Sequence, residues 1–176
     1  NLGNSRQSVA ILYRSNAQSR VLEEELIHAG IPYRIYGGLK FFDRAEIKDI
    51  LAYLRLVENG RDNVSLLRVI NTPARALGPK AIQIIREVAD KYQISLAEAL
   101  TKDDIRDQLA GKALAGIDSF LDIFSAVFEL GENASIADKI KSIYEKSGYK
   151  DYLQKAEDEN EDRISNVEAL INAAVD

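Results

Sequence analysis

Asp43-Arg44-Ala45-Glu46-Ile47-Lys48-Asp49-Ile50-Leu51-Ala52-Tyr53-Leu54-Arg55-Leu56-Val57 is the run that sets the fold class. Ile47, Ile50, Leu51, Leu54 and Val57 recur every three or four residues, a spacing that puts side chains on one face of an α-helix and not on one face of a strand. Asp43-x-x-Glu46 at its head reads as a variant capping box, and Asn59-Gly60 stops it. The helical period continues downstream. Asp62 is placed to cap a shorter helix with Leu66, Leu67 and Ile70 inward. Thr72-Pro73 breaks the chain, and Gly78-Pro79 opens another helix with proline at its first position and Ile82, Ile85, Val88 and Ala89 toward the core. Ser95-x-x-Glu98 is a further capping signature. Lys112 to Leu130 reads as a long helix weakened at Gly116, and Ser135 to Lys146 as an amphipathic helix stopped by Gly148. A last helix is expected from Arg163 to Val175.

Upstream the pattern differs. Ser8-Val-Ala-Ile-Leu-Tyr-Arg14 is a short apolar run rich in strand formers, followed by the polar loop Ser15 to Ser19. Val21, Leu22, Glu25, Leu26 and Ala29 mark a helix that Gly30 ends. Tyr33-Arg-Ile-Tyr36 is a second extended piece, closed by Gly37-Gly38. Strand, helix and strand in this order predict a βαβ unit, the margin of an α/β domain too small to stand alone. The expected organisation is therefore mainly α: a partial α/β segment over residues 1–36, then a helical domain over residues 37–176.

Composition narrows the function classes. The chain has 176 residues, 46% hydrophobic and 29% charged, the balance of a globular protein and not of a disordered one. No apolar run approaches the roughly 20 residues a membrane helix needs, so no membrane partner is expected. Cysteine is absent, which excludes disulfides, thiolate metal sites and a cysteine nucleophile; the one histidine, His28, leaves no histidine-rich zinc site either. No metal site is expected. The lack of cysteine fits a cytoplasmic protein, and methionine is absent even at position 1, which leads us to expect a piece of a longer chain.

The net charge of −5 is unevenly spread. Residues 1–60 carry eight Lys/Arg and seven Asp/Glu, residues 61–91 six and three, and residues 92–176 nine and eighteen. A nucleic-acid surface should therefore lie in the first half, since local potential and not overall charge draws phosphate in. The acidic second half, with its run Glu157-Asp-Glu-Asn-Glu-Asp162, should face elsewhere, the run itself reading as a solvated loop.

Catalytic signatures are missing. There is no glycine-rich loop followed by Lys-Ser/Thr, no serine elbow and no histidine pair, so no catalytic residue and no cofactor is assigned within this chain. Two segments remain as candidates. Thr72-Pro-Ala-Arg75-Ala76-Leu77-Gly78-Pro79-Lys80 joins two helices, and the second helix would offer unpaired N–H groups to a phosphate, with Arg75 and Lys80 adding charge. The alternative is an ordinary helical hairpin with a solvated basic face. Arg14-Ser-Asn16 and Gln18 follow an expected strand, where ligand-contacting residues of α/β sheets concentrate; a polar loop capping the next helix explains the same letters.

Taken together, these segments carry a resemblance. Ala10-Ile-Leu-Tyr-Arg-Ser-Asn-Ala-Gln-Ser-Arg20-Val-Leu-Glu-Glu24 resembles a motif in the second RecA-like domain of UvrD/PcrA/Rep-type superfamily-one DNA helicases. Ile31-Pro-Tyr-Arg-Ile-Tyr-Gly-Gly38, Phe41-Phe-Asp-Arg-x-Glu-Ile-Lys-Asp49 and Ala52-Tyr-Leu-Arg55 are similar to the family's crossing into its inserted helical domain. Asn71-Thr-Pro-Ala-Arg75 with Ala-Leu-Gly78 resembles the segment that holds a Gly-Ile-Gly hairpin in many members. The likeness is dense over residues 8–85 and local afterwards, around Lys112-Ala-Leu-Ala-Gly116 and Arg163-Ile-Ser-Asn166.

The resemblance implies a parent that uses ATP and Mg to unwind DNA with 3′→5′ polarity in repair or replication. Its ATP-binding residues would lie outside this chain, so the fragment alone should neither hydrolyse ATP nor unwind DNA. Arg14 and Asn16 match positions that hold the single strand. Thr72, Arg75, Ala76, Leu77, Gly78 and Lys80 match the hairpin that touches duplex backbone, and Arg44 and Lys48 lie in the junction block where phosphate could be met. Gly37 and Gly38 are placed as a hinge. The implied partner is a single-strand/duplex junction, with repair proteins as further partners and a helical protein-interaction module as the alternative role. One departure stands out: Ala76 occupies a position where relatives often have glycine, so a positive φ there would be strained.

Overall fold

The computed structural model describes residues 9–36, 38–155 and 160–175. Its regular elements among those residues are helical: α1 (Ser19–His28), α2 (Ala45–Glu58), α3 (Asn63–Val69), α4 (Pro79–Tyr92), α5 (Leu96–Ala99), α6 (Asp103–Gln108), α7 (Lys112–Phe128), α8 (Ile136–Lys146), α9 (Tyr149–Lys155) and α10 (Asn160–Ala173). Two 3-10 turns, Asn16–Gln18 and Phe41–Asp43, precede α1 and α2. The fold is mainly α.

Helix α2 is the central strut. It buries Ile47, Ile50, Ala52, Tyr53 and Leu56, and α3, α8 and α10 pack around it. Of the stripe marked by the three-to-four spacing, Ile47 and Ile50 are fully buried, while Leu51, Leu54 and Val57 are half-buried against the core and Ala52, Tyr53 and Leu56 take the inner face. Helix α7 lies along α8, while α4 carries α5 and α6 on its flank. Phe120 of α7 and Tyr149 of α9 complete the fully buried aromatic set with Tyr53 and Phe41. Asp62 caps α3 by accepting from the Val64 and Ser65 amides, and Ser95 with Glu98 forms the reciprocal box of α5. Ser135 caps α8 by accepting from the Asp138 amide.

Three expectations change. Residues 9–13 and 31–35 form no β-ladder among the described residues. A strand exists only where another strand takes up its N–H and C=O groups, and these two segments do not pair with each other. The box at Asp43 does not form either: α2 starts at Ala45 with Arg44 as N-cap, and the Asp43 carboxylate pairs with Lys48 at 2.9 Å. Helix α7 runs unbroken through Gly116, which the Arg75 carbonyl approaches so closely that an added Cβ would sit 2.0 Å from it. The glycine is a packing device and not a weak point.

The N-terminal segment is fastened to the helical body by a buried polar network. Arg44 donates from Nη1 to the Asn16 carbonyl (2.8 Å) and to Asn166 Oδ1 (2.7 Å), and from Nη2 to Ser19 Oγ (2.7 Å). Asn166 in turn donates to Glu46 Oε1 at 2.7 Å. Glu23 accepts from Ser19 Oγ, the Tyr33 hydroxyl and the Phe41 amide. Each charged group is buried with partners, the condition under which a fold tolerates it.

Candidate nucleic-acid interface

The loop between α3 and α4 is held from inside by three side chains. Asn71 Oδ1 accepts from the Arg75 amide (2.6 Å) and the Leu77 amide (3.2 Å), closing residues 71–77 into a ring. The Tyr53 hydroxyl donates toward the Val69 and Thr72 carbonyls, at 3.1 and 2.7 Å. Burial pushes the Tyr53 phenol from its usual 10.0 up to about 12, with Arg75 pulling weakly the other way. The third holder is Arg75 itself.

Arg75 is 9% exposed. Its Nη1 donates to the carbonyls of Val69 (3.2 Å), Ile70 (3.3 Å) and Pro73 (3.1 Å), and its Nη2 to that of Ser147 (2.8 Å). The guanidinium lies over the Tyr53 and Phe120 rings, at 5.9 and 5.6 Å from their centroids. The sequence reading places Arg75 against phosphate; the structure places it inside, its donors spent on carbonyls. A planar cation with several donors suits that task, because the loop and the end of α8 leave backbone acceptors without helical partners.

What remains outside is a narrow tip. Ala74, Ala76, Pro79 and Lys80 are exposed, Thr72, Pro73 and Gly78 half-buried, and Leu77 turns into the core. The Thr72–Pro73 peptide is cis. Ala76 has φ +57, the left-handed region that glycine occupies without strain. Gly78, by contrast, has φ −73 and ψ −177, which any residue adopts, and open space where a Cβ would point. It is the N-cap of the 14-residue α4, whose first amides receive no side-chain cap. Those amides and the exposed Lys80 ammonium form a positive end to the helix.

The basic character of residues 61–91 is mostly consumed within the fold. Arg68 pairs with Asp49 at 2.7 Å, Lys91 pairs with Asp104, and Arg61 stands 3.9 Å from Glu98. Lys80 and Arg86 are the cations of this stretch that make no ion pair among the described residues. Elsewhere, Arg14 is exposed, and Asn16 Nδ2 donates to Asp162 Oδ2 at 2.8 Å. Arg44 belongs to the buried network, and Lys48 is half-exposed on Asp43. Gly38 is exposed, with Ile35 Cγ2 3.9 Å from the position of a Cβ; Gly37 lies outside the described residues, as do Glu157 to Glu159. The hairpin residues thus come together at one corner, while Arg14 and Asn16 lie at another, beside α10.

Residues 1–176 match the UvrD-like helicase C-terminal domain throughout. The chain belongs to that family. It is 38% identical over 172 residues to DNA helicase II of Escherichia coli K12, covering 97% of this chain and 24% of the relative. Against DNA helicase II of Haemophilus influenzae Rd the identity is 41% with the same coverage, and against the ATP-dependent DNA helicase PcrA of Staphylococcus epidermidis RP62A it is 38% over 175 residues, 99% of this chain and 24% of the relative. This UvrD-like helicase C-terminal domain chain thus spans about a quarter of the length of these relatives.

The structure singles out three positions whose setting the sequence reading did not give. Asn71, which ties the loop, looks like any turn asparagine. Gly116 carries a signal, a lone glycine inside a strong helical pattern, whose cause is the close approach of another backbone. Arg86 falls in the basic stretch, but only the structure separates it from cations already paired.

Proposed function

We propose that this chain is part of an ATP-dependent DNA helicase with 3′→5′ polarity and that its α3–α4 hairpin holds duplex backbone ahead of the motor without reading sequence. The observation that carries this reading is the hairpin's two-sided build. Asn71, Tyr53 and Arg75 fix it from within, and it leaves Ala74, Ala76, Lys80 and the uncapped α4 amides outside. A rigid loop with small side chains lets a sugar-phosphate chain approach backbone amides, and such contacts position a protein on DNA without choosing bases. Family membership and the names of the relatives, DNA helicases, support the same reading. ATP and Mg would be held by parts of the parent outside these residues. Arg14 and Asn16 would meet the single strand, and Gly37-Gly38 would serve the domain's rotation.

Within this proposal Arg75 changes role, from phosphate contact to positioning residue for the hairpin, and Arg44 likewise becomes a fastener of the N-terminal segment. Lys80 keeps its assignment. The test is anisotropy of labelled duplexes of two unrelated sequences with the 176-residue chain at low salt. Equal binding to both is expected; absence of binding to either would overturn the grip.

A second reading is favoured by the furrow between α7 and α8. Exposed Phe128 (68%), Leu130 and Ile136 flank this furrow, whose lining mixes Glu129, Asp138 and Glu145 with Lys141 and Lys146, a blend that suits a protein surface better than DNA. A repair partner or another copy of the helicase would dock there, and this role is compatible with the first.

A further inference from the structure

We propose that the groove between α3 and α4 is a seat for one sugar-phosphate unit of the duplex, with Arg86 as its phosphate ligand. This rests on the hairpin reading above and extends it by a site and a residue that neither the hairpin motif nor the family match identifies. The groove has a volume of about 470 Å³. Its floor is apolar, formed by Leu67, Ile70, Leu77 and Ile82, and its rim is polar, formed by Asn71, Gln83 and Arg86, with Gly78 and Pro79 at one end.

Three features select the occupant. The lining contains one cation and no carboxylate, and the nearby Glu87 carboxylate is turned to the Gln83 amide, accepting from its Nε2 at 2.8 Å, so the groove itself favours an anion. Arg86 is exposed and makes no ion pair among the described residues, unlike Arg61, Arg68 and Lys91 of the same stretch. Its guanidinium is therefore available for phosphate, and releasing counterions from that phosphate gives binding its salt dependence. Finally, a Cβ at Gly78 would meet nothing within 4 Å, so the end of the groove nearest the hairpin tip is open at that position. An apolar floor beside a cationic rim matches a deoxyribose with its phosphate, apolar on the ring face and charged at the ester. A free carboxylate ligand would leave the four floor residues uncovered.

Pro79, Ile82, Gln83 and Arg86 follow one another at helical spacing along α4, so the rim and part of the floor are one helix face. Lys80 lies off that face. The two cations therefore meet different phosphates, Lys80 at the tip and Arg86 in the groove, and their contributions to the salt slope should add.

Duplex binding by Arg86→Ala, Arg86→Lys and Gln83→Glu, measured across a salt series alongside the parent chain and Lys80→Ala, tests this. All are exposed or half-buried positions, and thermal unfolding checks that the fold is kept. Arg86→Ala should weaken binding about tenfold at low salt and lower the log–log salt slope by about 1. Arg86→Lys should keep the slope, and Gln83→Glu should weaken binding by placing a carboxylate at the rim. If the parent binds and Lys80→Ala lowers the slope while Arg86→Ala and Gln83→Glu change nothing, the groove is not used and this inference fails while the hairpin grip stands. If the parent does not bind duplex, both fail.

Discussion

The α3–α4 groove and the α7–α8 groove are built alike, each a furrow between helices joined by a loop, yet they differ in what they offer. The first is lined by one cation, Arg86, and no acid. The second is lined by Glu129, Asp138 and Glu145 against Lys141 and Lys146, and stands close to exposed Phe128. The lesson is that net charge along the sequence is a poor guide to surface potential until internal pairing is subtracted. Residues 61–91 carry six cations, but Arg75 is buried, and Arg68, Lys91 and Arg61 face acids. The remainder, Lys80 and Arg86, is what the proposed interface has to draw on.

The strongest way to break the contrast is through Gly116. An alanine there would put Cβ 2.0 Å from the Arg75 carbonyl, so α7 must move off the hairpin. Gly116→Ala should lose about 3 kcal/mol in urea unfolding, at the upper end for overpacking. Gly78→Ala meets nothing and should stay within about 0.5 kcal/mol of the parent. Equal losses at the two glycines would contradict the packing assigned to them.

Next in size is Arg75. Arg75→Ala leaves the carbonyls of Val69, Ile70, Pro73 and Ser147 without this donor and should cost about 2–3 kcal/mol. Arg75→Lys should not rescue it, because one ammonium cannot span the loop and the end of α8 together. Restored stability in the lysine variant would mean that charge alone, and not the fork of donors, holds the loop.

Alkaline unfolding sharpens the account of the inner side. A phenol whose folded pKa lies above its unfolded value contributes stability that is complete below the unfolded value and fades as pH rises through the folded one. For Tyr53 that window runs from 10.0 to about 12. Tyr149 is raised as well, mainly by burial and then by its hydrogen bond to Asp49. Tyr53→Phe should cost about 1 kcal/mol at neutral pH, where its hydrogen bonds are lost, and should flatten the decline across the window. An unchanged decline would move the alkaline sensitivity to other groups.

The smallest expected change is a gain. Ala76→Gly relieves the positive φ and should stabilise the chain by about 0.5–1 kcal/mol in the same urea titration. A loss there would mean that the alanine packs usefully at the tip.

Much of the fold was legible because helix signals are local. The helical spacing in α2, the Asp62 and Ser95 caps and the proline opening α4 all act within one or two turns. The strands expected at residues 8–14 and 33–36 were not, since a strand depends on a partner that periodicity cannot supply. The short helices α6 and α9 were missed because six or seven residues hold too little periodic signal. The site was legible as a segment and not as roles. Spacing marks Arg75 and Lys80 as equals, but Arg75 turns inward because of Ser147, distant in sequence, and of Tyr53 and Phe120 beneath the loop. The same holds for Arg44, whose partners include Asn166 on α10.

The most direct measurement sets the two regions against each other in one assay: the salt dependence of duplex binding for Lys80→Ala and for Lys141→Ala. The account predicts that the first lowers the log–log slope by about 1 and the second leaves it unchanged. A slope unaffected by Lys80→Ala, or lowered equally by Lys141→Ala, would contradict a duplex grip located at the α3–α4 corner.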